Sequence, residues 1–146
     1  MSATDRAIEL TVAAARAAAD LKAQEIIALD VSGQLVLTDA FVIASGTNER
    51  QVGAIVDAVE ESLHELGAKP LRREGKSEGR WVLIDFVDVV VHVQHSDERE
   101  FYSLERLWKD CPTVALGLPD PAGRQDEDDP YADAPARTTG WPGLRD

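Results

Sequence analysis

Two aspartates and two histidines have the types and spacing that could support metal-dependent chemistry. Asp85 and Asp88 are similar to the acidic pair that holds a divalent metal ion during nucleotidyl transfer. His92 and His95 are also potential metal ligands. Because positions three apart on a strand point to opposite faces, a site built on both histidines would require a bend at Gln94.

A structural explanation is simpler for each of these features. Aspartate is common beside hairpin turns, where it accepts local hydrogen bonds. Ser45-Gly46 resembles a phosphate-contacting turn before a helix, yet helix capping explains it equally well. Cys111 has no CxxC partner, so structural zinc is not expected. The sequence therefore predicts a protein that is not an enzyme and needs no metal or cofactor. A metal-dependent nucleotidyltransferase that uses Asp85 and Asp88 stays open as the alternative.

Composition and charge indicate the kind of partner. The 146 residues fit one domain, and the formal net charge of −12 disfavours direct nucleic-acid binding and favours a basic protein partner. The single cysteine fits a reducing compartment, and we expect a cytoplasmic protein. Neither a secretory signal nor an apolar run of about 18 residues is found, so no membrane association is expected.

The most apolar stretch, residues 74–110, predicts the elements that position these side chains. The runs 81–86 and 89–93 are rich in β-branched and aromatic residues and predict an antiparallel hairpin. Alternation places Val82, Ile84 and Phe86 on the core face and Trp81, Leu83 and Asp85 on the other face. In the second strand it likewise separates Val89, Val91 and Val93 from Val90, His92 and Gln94. Because the second face is not simply polar, either helices cover both sides of the sheet or an apolar patch centred on Trp81 awaits a partner.

The remaining segments predict helices and strands around this hairpin. The expected order is a helix over 4–21, strands over 26–31 and 41–45, a helix over 48–66, a short strand over 69–72, the hairpin, and a helix over 99–109. The first helix would begin at Thr4 or Asp5 and bury the stripe Ile8, Val12, Ala15 and Ala19. The second would begin with a capping box of Asn48 and Gln51 and end at Gly67. In the last helix, Phe101, Leu104, Leu107 and Trp108 would dock on the sheet.

The composition changes at Pro112. Proline-rich sequence and the acidic run 126–129 make core packing implausible there. We therefore expect one domain over residues 1–111 and a largely disordered acidic tail over residues 112–146.

Three segments together resemble the ribosomal silencing factor family, also called Iojap-like or RsfS. They are LKAQEIIALDVS, LTDAFVIASGTNERQVGAIVDAVEESL and EGKSEGRWVLIDFVDVVVHVQHSDEREFYSLERLWKD, with SGT, EG before WVL, DVVVH and FYxLExLW as the specific motifs. The resemblance implies an α/β fold, a mixed β-sheet with flanking helices that is similar to nucleotidyltransferases but lacks their activity. It also implies a homodimer when free. The implied partner is the large ribosomal subunit, bound through ribosomal protein L-fourteen so that the small subunit cannot join and translation falls under nutrient limitation.

The resemblance also implies which residues contact the ribosomal protein. Carried over by position, they are Glu74, Lys76, Trp81, Leu83, His92, Tyr102 and Lys109. Two positions depart from the family pattern: Val87 stands where glycine is usual in the hairpin turn, and Asn48 stands where serine is usual. The acidic tail lies outside the resemblance.

Overall fold

Residues 2–118 are described by a computed structural model. In chain order the elements are α1 (Asp5–Asp20), β1 (Gln24–Asp30), β2 (Ala40–Gly46), α2 (Glu49–Glu65), β3 (Arg72–Glu74), β4 (Trp81–Asp85), β5 (Val89–His95), α3 (Ser96–Tyr102) and α4 (Leu104–Leu107). The strands form one sheet in the order β1-β2-β5-β4-β3. The pair β2–β5 is parallel and the other neighbours are antiparallel, which confirms the predicted mixed sheet with flanking helices.

The helices α1 and α2 cover the first face of the sheet. Thr4 caps α1, because its side chain accepts a hydrogen bond from the backbone N–H of Ala7. The predicted buried stripe is wrong in detail: Ala15 is buried, but Ile8, Val12 and Ala19 are only half-buried. The residues that lie fully against the sheet and α2 are instead mostly alanines, Ala7, Ala14, Ala17 and Ala18, together with Leu10 and Thr11. The small side chains let the helix pack closely on the sheet, and the larger Ile8 and Val12 lie at its flanks.

The second helix follows the prediction closely. Asn48 Oδ1 accepts the Gln51 backbone N–H at 2.8 Å, and Gln51 Oε1 accepts the backbone N–H of Thr47 rather than that of Asn48. The same glutamine amide donates to the carbonyl of Leu21, which ties the start of α2 to the end of α1. At the other end Gly67 has φ +86°, a left-handed conformation that glycine adopts without steric cost. The apolar period of this helix spans six residues, of which five are buried and Leu66 is half-buried; the buried ones are Val52, Ile55, Val56, Val59 and Leu63.

The predicted hairpin is confirmed, and its turn is strained. Register pairs Trp81 with Gln94 and Leu83 with His92. At the turn Val87 has φ +76°, and the backbone N–H of Asp88 donates to the carbonyl of Phe86 at 3.0 Å. This left-handed conformation is sterically unfavourable for a β-branched residue, so valine strains the turn.

The segment after β5 differs from the single helix that the spacing predicts. Ser103 is left-handed, with φ 49° and ψ 57°, and separates α3 from α4. Of the four residues expected to dock, Leu104 is buried and Trp108 is half-buried, whereas Phe101 and Leu107 are exposed. The break turns the two exposed side chains to the outside, because helical spacing no longer relates residues on either side of it.

The packed domain extends past the predicted boundary at residue 111. The carbonyl of Pro112 accepts the backbone N–H of Asp30, and Thr113 bridges to Leu29 on the edge strand β1. Val114 and Leu116 pack against the core on the α1–α2 side. The first residues assigned to the tail therefore belong to the domain, and the remainder of that assignment, 119–146, lies outside the described residues. No helix within residues 2–118 has the length and apolar character needed to cross a bilayer.

Candidate functional site: a half-open aromatic surface

The second face of the sheet is covered over β1 and β2 and partly open over β4 and β3. Leu29, Val31, Phe41, Ile43, Val90, Leu104 and Cys111 form a buried cluster there. Trp81 and Leu83 pack on the edge of this cluster and remain half-buried. Both alternatives left open by the sequence are thus partly realised. The short helices cover one half of this face, and an apolar strip is exposed along β4.

Aromatic rings form a continuous row across this face. The Phe41 ring lies edge-on to both Trp108 and His92, with centroids 5.0 and 5.2 Å apart. Trp81 contacts His92 at 6.2 Å and Tyr102 at 4.9 Å between centroids. The row ends at Phe101, edge-on to Tyr102 at 4.9 Å. It therefore runs from the buried cluster outward to side chains that are 49% exposed at Tyr102 and 78% exposed at Phe101.

His92 fixes the orientation of Trp81. The indole Nε1–H donates to His92 Nδ1 at 3.2 Å, so Nδ1 must be unprotonated. Burial in the aromatic row, reinforced by the nearby Arg99 charge, lowers the pKa of His92 from 6.5 to about 4. Near neutral pH the imidazole is therefore neutral and acts as a fixed hydrogen-bond acceptor.

A buried ion pair holds α3 and α4 against the sheet. Arg99 Nε donates to Glu105 Oε2 at 2.5 Å, and both side chains are about 2% exposed or less. Arg99 also donates to the Glu25 carbonyl at 2.6 Å, where the β1 backbone has an irregular register and Glu25 has φ +51°. The guanidinium thus joins the α3–α4 segment to the edge of the sheet. This anchor positions Tyr102 beside Trp81.

Strand β3 and the loop that joins it to β4 are tied to α2 by ion pairs. Arg73 pairs with Glu60, Lys76 Nζ lies 3.1 Å from Asp57 Oδ1, and Arg80 Nη1 lies 3.2 Å from Glu49 Oε2. The hydrogen bond to Arg80 lowers the pKa of the Glu49 carboxyl. These exposed pairs are individually weak, but together they set the path of the loop.

The structure brings together some of the predicted partner residues and separates others. Trp81, Leu83, His92 and Tyr102 form one contiguous surface. Glu74 lies beside Leu83 in the register of β3 with β4 and pairs with Arg72, so it borders this surface. Lys76 is instead engaged with Asp57 on α2, and Lys109 is exposed just after Trp108.

Sequence reasoning missed several members of this surface. Phe101 and Leu107 were expected to dock on the sheet, yet they are the most exposed large apolar side chains of α3 and α4. Phe41 was assigned to a strand, without its place at the centre of the aromatic row. Nothing local marks Arg99 and Glu105 as partners. Only the position of Ser103 between them, in a segment of strong helix formers, hints at a break.

The residues that suggested chemistry make structural contacts. Asp85 accepts the Val87 backbone N–H at 2.8 Å and pairs with Arg72, which are ordinary turn and edge interactions. His95 Nδ1 accepts the backbone N–H of Asp97 and caps α3, while His92 holds Trp81. Within residues 2–118 no three histidine, cysteine or acidic side chains gather as metal ligands. The Asp85–Asp88 alternative therefore has no support from this geometry.

Gln94 lies in the same buried layer without a visible partner. Its side chain is fully buried, and neither Oε1 nor Nε2 makes a hydrogen bond to residues 2–118. Glu105 Oε1 is in the same situation, although Oε2 binds Arg99. Burying this polar layer beneath α3 and α4 thus costs more folding free energy than burying an apolar layer would.

These features define a small α/β domain with a mixed five-stranded sheet, two long helices on one face and a half-open aromatic surface on the other. Comparison with known proteins identifies the family. Residues 4–140 match the family described as "Ribosomal silencing factor during starvation", and the chain belongs to that family, as its motifs predicted.

Relatives support both the family and the fold. The chain is 46% identical over 108 residues to the ribosomal silencing factor RsfS of Halalkalibacterium halodurans, covering 74% of this chain and 92% of that protein. A crystal structure of a Chromobacterium violaceum protein superposes with a TM-score of 0.67 at 37% identity, covering 78% of this chain and 96% of that one. The mouse protein named "Mitochondrial assembly of ribosomal large subunit protein 1" is 34% identical over 89 residues, 59% of this chain and 39% of the mouse protein.

Proposed function

We propose that this protein represses translation by binding the large ribosomal subunit through ribosomal protein L-fourteen, so that the small subunit cannot join. The half-open aromatic surface around Trp81 is the single observation that carries this proposal. Rigid aromatic side chains with one buried edge are typical of residues that dominate protein interfaces. Family membership and the ribosome-related names of the relatives support the same direction.

Charge supports a basic protein as the partner. Residues 1–118 carry a net charge of −8, since the remaining 28 residues contribute seven acidic and three basic side chains. Complementary charge accelerates encounter with a basic surface, and the desolvated aromatic centre then sets the lifetime of the complex. Glu74 and Lys109 would lie at the polar rim. Binding alone suffices for the effect, without catalysis or a cofactor.

The proposed site of action is the cytoplasm, where a lone thiol such as Cys111 stays reduced. The free protein is proposed to be a homodimer, which sedimentation velocity tests directly. Direct contacts to ribosomal RNA would contribute little, because phosphates repel an acidic surface.

Substitution of the aromatic surface tests the function. We expect Tyr102→Ala and Trp81→Glu each to weaken binding to purified large subunits by about 30-fold or more, equivalent to about 2 kcal/mol. Val36→Glu is the matched control, because Val36 is 95% exposed on the loop after β1, outside the aromatic row. Sucrose gradients of mixed subunits report both the joined-ribosome peak and the position of the protein.

Thermal unfolding separates the two variants. Trp81 packs on the buried cluster and donates to His92, so Trp81→Glu is expected to lower stability as well as binding. Tyr102 is half-exposed, so Tyr102→Ala should reduce binding with little change in stability. Normal binding by a folded Tyr102→Ala variant would show that α3 is not part of the interface. Full subunit joining at saturating wild-type protein would overturn the proposed function.

A further inference from the structure

A groove on the outer side of α1 and α2 lies on the face of the molecule opposite to the aromatic surface. It encloses about 580 Å³. Its floor is apolar and is formed by Val12, Ala13, Ala58 and Leu66. Ala13, Ala58 and Leu66 are partly buried against the main core, so the floor continues the core outward. The groove arises because α1 buries its alanines and turns Val12 to its flank.

The rim of this groove is acidic and incompletely paired. Asp20, Glu61 and Glu65 line it and make no ion pair to any of residues 2–118. Glu61 and Glu65 are one helical turn apart, a repulsive arrangement for an isolated helix. Arg16 is the basic residue of the lining. The groove therefore suits a ligand that combines apolar side chains with positive charge.

After α4 the chain returns to the helical side of the sheet, the side on which the groove lies. The backbone N–H of Val114 donates to the Ala28 carbonyl at 2.9 Å along the outer edge of β1. Val114 and Leu116 then pack on the α1–α2 side of the sheet, against the same core as the groove floor. At Leu116, two residues before the end of the described chain, the backbone therefore lies on the helical side of the sheet, opposite to Trp81.

The sequence beyond this point has segregated charges. Residues 119–136 contain six acidic side chains and one basic side chain. Residues 137–146, RTTGWPGLRD, carry Arg137 and Arg145 around Trp141 and Leu144, with Asp146 as their acidic residue. The chemistry of this last segment, apolar and basic, complements the groove.

We propose that residues 137–146 dock in the α1–α2 groove of the same chain, with Trp141 on the apolar floor and the arginines at the acidic rim. The 18 residues 119–136 separate the segment from Leu118, and a linker of this length spans roughly 25 Å as a random coil, similar to the length of a 16-residue helix, so the segment can reach the groove. Tethering gives an effective concentration of about 1 mM, and even a weak contact would then be substantially occupied. This docking is independent of the proposed ribosome binding.

NMR of the full-length chain tests the proposal. We expect the Trp141 indole N–H resonance to differ from its position in a free 134–146 peptide. A spin label at Gly140→Cys, in a Cys111→Ser background, is expected to broaden resonances of Val12 and Ala58. The charge reversals Glu61→Lys and Glu65→Lys together should return Trp141 to the free-peptide position. Reversals at two exposed acidic residues outside the groove, Glu78→Lys and Asp110→Lys, should not.

Three outcomes would overturn the docking. The first is an indole resonance that already coincides with the free peptide in the wild-type chain. The second is broadening centred on Trp81 and Tyr102, which would place the segment on the aromatic surface instead. The third is a Trp141 shift that disappears on dilution, which would mean that the groove of a second copy is occupied. Broadening at Val12 and Ala58 that persists on dilution would support intramolecular docking.

Discussion

Acidification should destabilise this protein through a single buried imidazole. The pKa of His92 is lowered from 6.5 to about 4 because the ring is buried and lies near Arg99. The unfolded state therefore binds more protons than the folded state between these two values. The free energy that the neutral His92 side chain contributes to stability is present above pH 6.5 and is lost progressively as the pH falls toward 4.

The magnitude follows from the size of the shift. A lowering from 6.5 to about 4 corresponds to about 3 kcal/mol between the protonation limits, of which roughly 2 kcal/mol is lost between pH 7 and pH 4.5. Protonation also fills the Nδ1 position that accepts the Trp81 indole N–H, so the half-open surface loosens in the same interval. The loss is large beside the 5–15 kcal/mol typical of total domain stability.

Urea unfolding by circular dichroism at pH 4.5, 5.5, 6.5 and 7.5 measures this loss. The comparison is with His92→Phe, which keeps a ring against Phe41 but cannot titrate. We expect the variant to be about 1 kcal/mol less stable than wild type at pH 7.5, because the indole loses its acceptor. The difference should shrink or reverse at pH 4.5. Parallel loss of stability in both proteins, or a His92 NMR titration midpoint near 6.5, would refute the reasoning.

Three further substitutions test the strain and the buried polar layer by urea unfolding. Val87→Gly should raise the free energy of unfolding by about 1 kcal/mol, because glycine accepts φ +76° without strain; Val87→Ala, which keeps a Cβ, should gain less, and an equal gain would contradict the turn geometry. Gln94→Met should stabilise by about 1–2 kcal/mol, since the buried amide makes no hydrogen bond to residues 2–118, and a clear loss would mean that the amide is satisfied. Glu105→Gln should cost about 3 kcal/mol by leaving Arg99 buried without its counter-charge; the double change Arg99→Met with Glu105→Leu should restore most of it, and a double variant as unstable as the single one would exclude this explanation.

Elements with strong local signals were predictable from the sequence. The helix α2 was predicted from Asn48 to Gly67 because its caps and its apolar period are both local features. The β4–β5 hairpin was predicted because two β-branched runs flank a short break. The extent of α1 was predicted, but its buried stripe was not, because the residues that pack on the sheet are mostly alanines and not the larger apolar residues of the helix.

The surface around Trp81 was only partly predictable. Alternation along the two hairpin strands placed Trp81, Leu83 and His92 on one face, and the family resemblance added Tyr102. The exposure of Phe101 and Leu107 could not be predicted, because it depends on a left-handed Ser103 that helical spacing does not reveal. The contact of Lys76 with α2 could not be predicted either, because its partner Asp57 lies 19 residues earlier in the chain.

By itself, the sequence determined the family, the mixed α/β class and the face on which Trp81 lies, because motifs, periodicity and alternation are written in neighbouring residues. Only the tertiary structure decided how much of that face stays open. Three features set the exposed area: the buried ion pair between Arg99 and Glu105, the break at Ser103, and the packing of α3 and α4 on the sheet. The free energies of these contacts depend on burial against strands that are distant in sequence, and no local pattern specifies that burial.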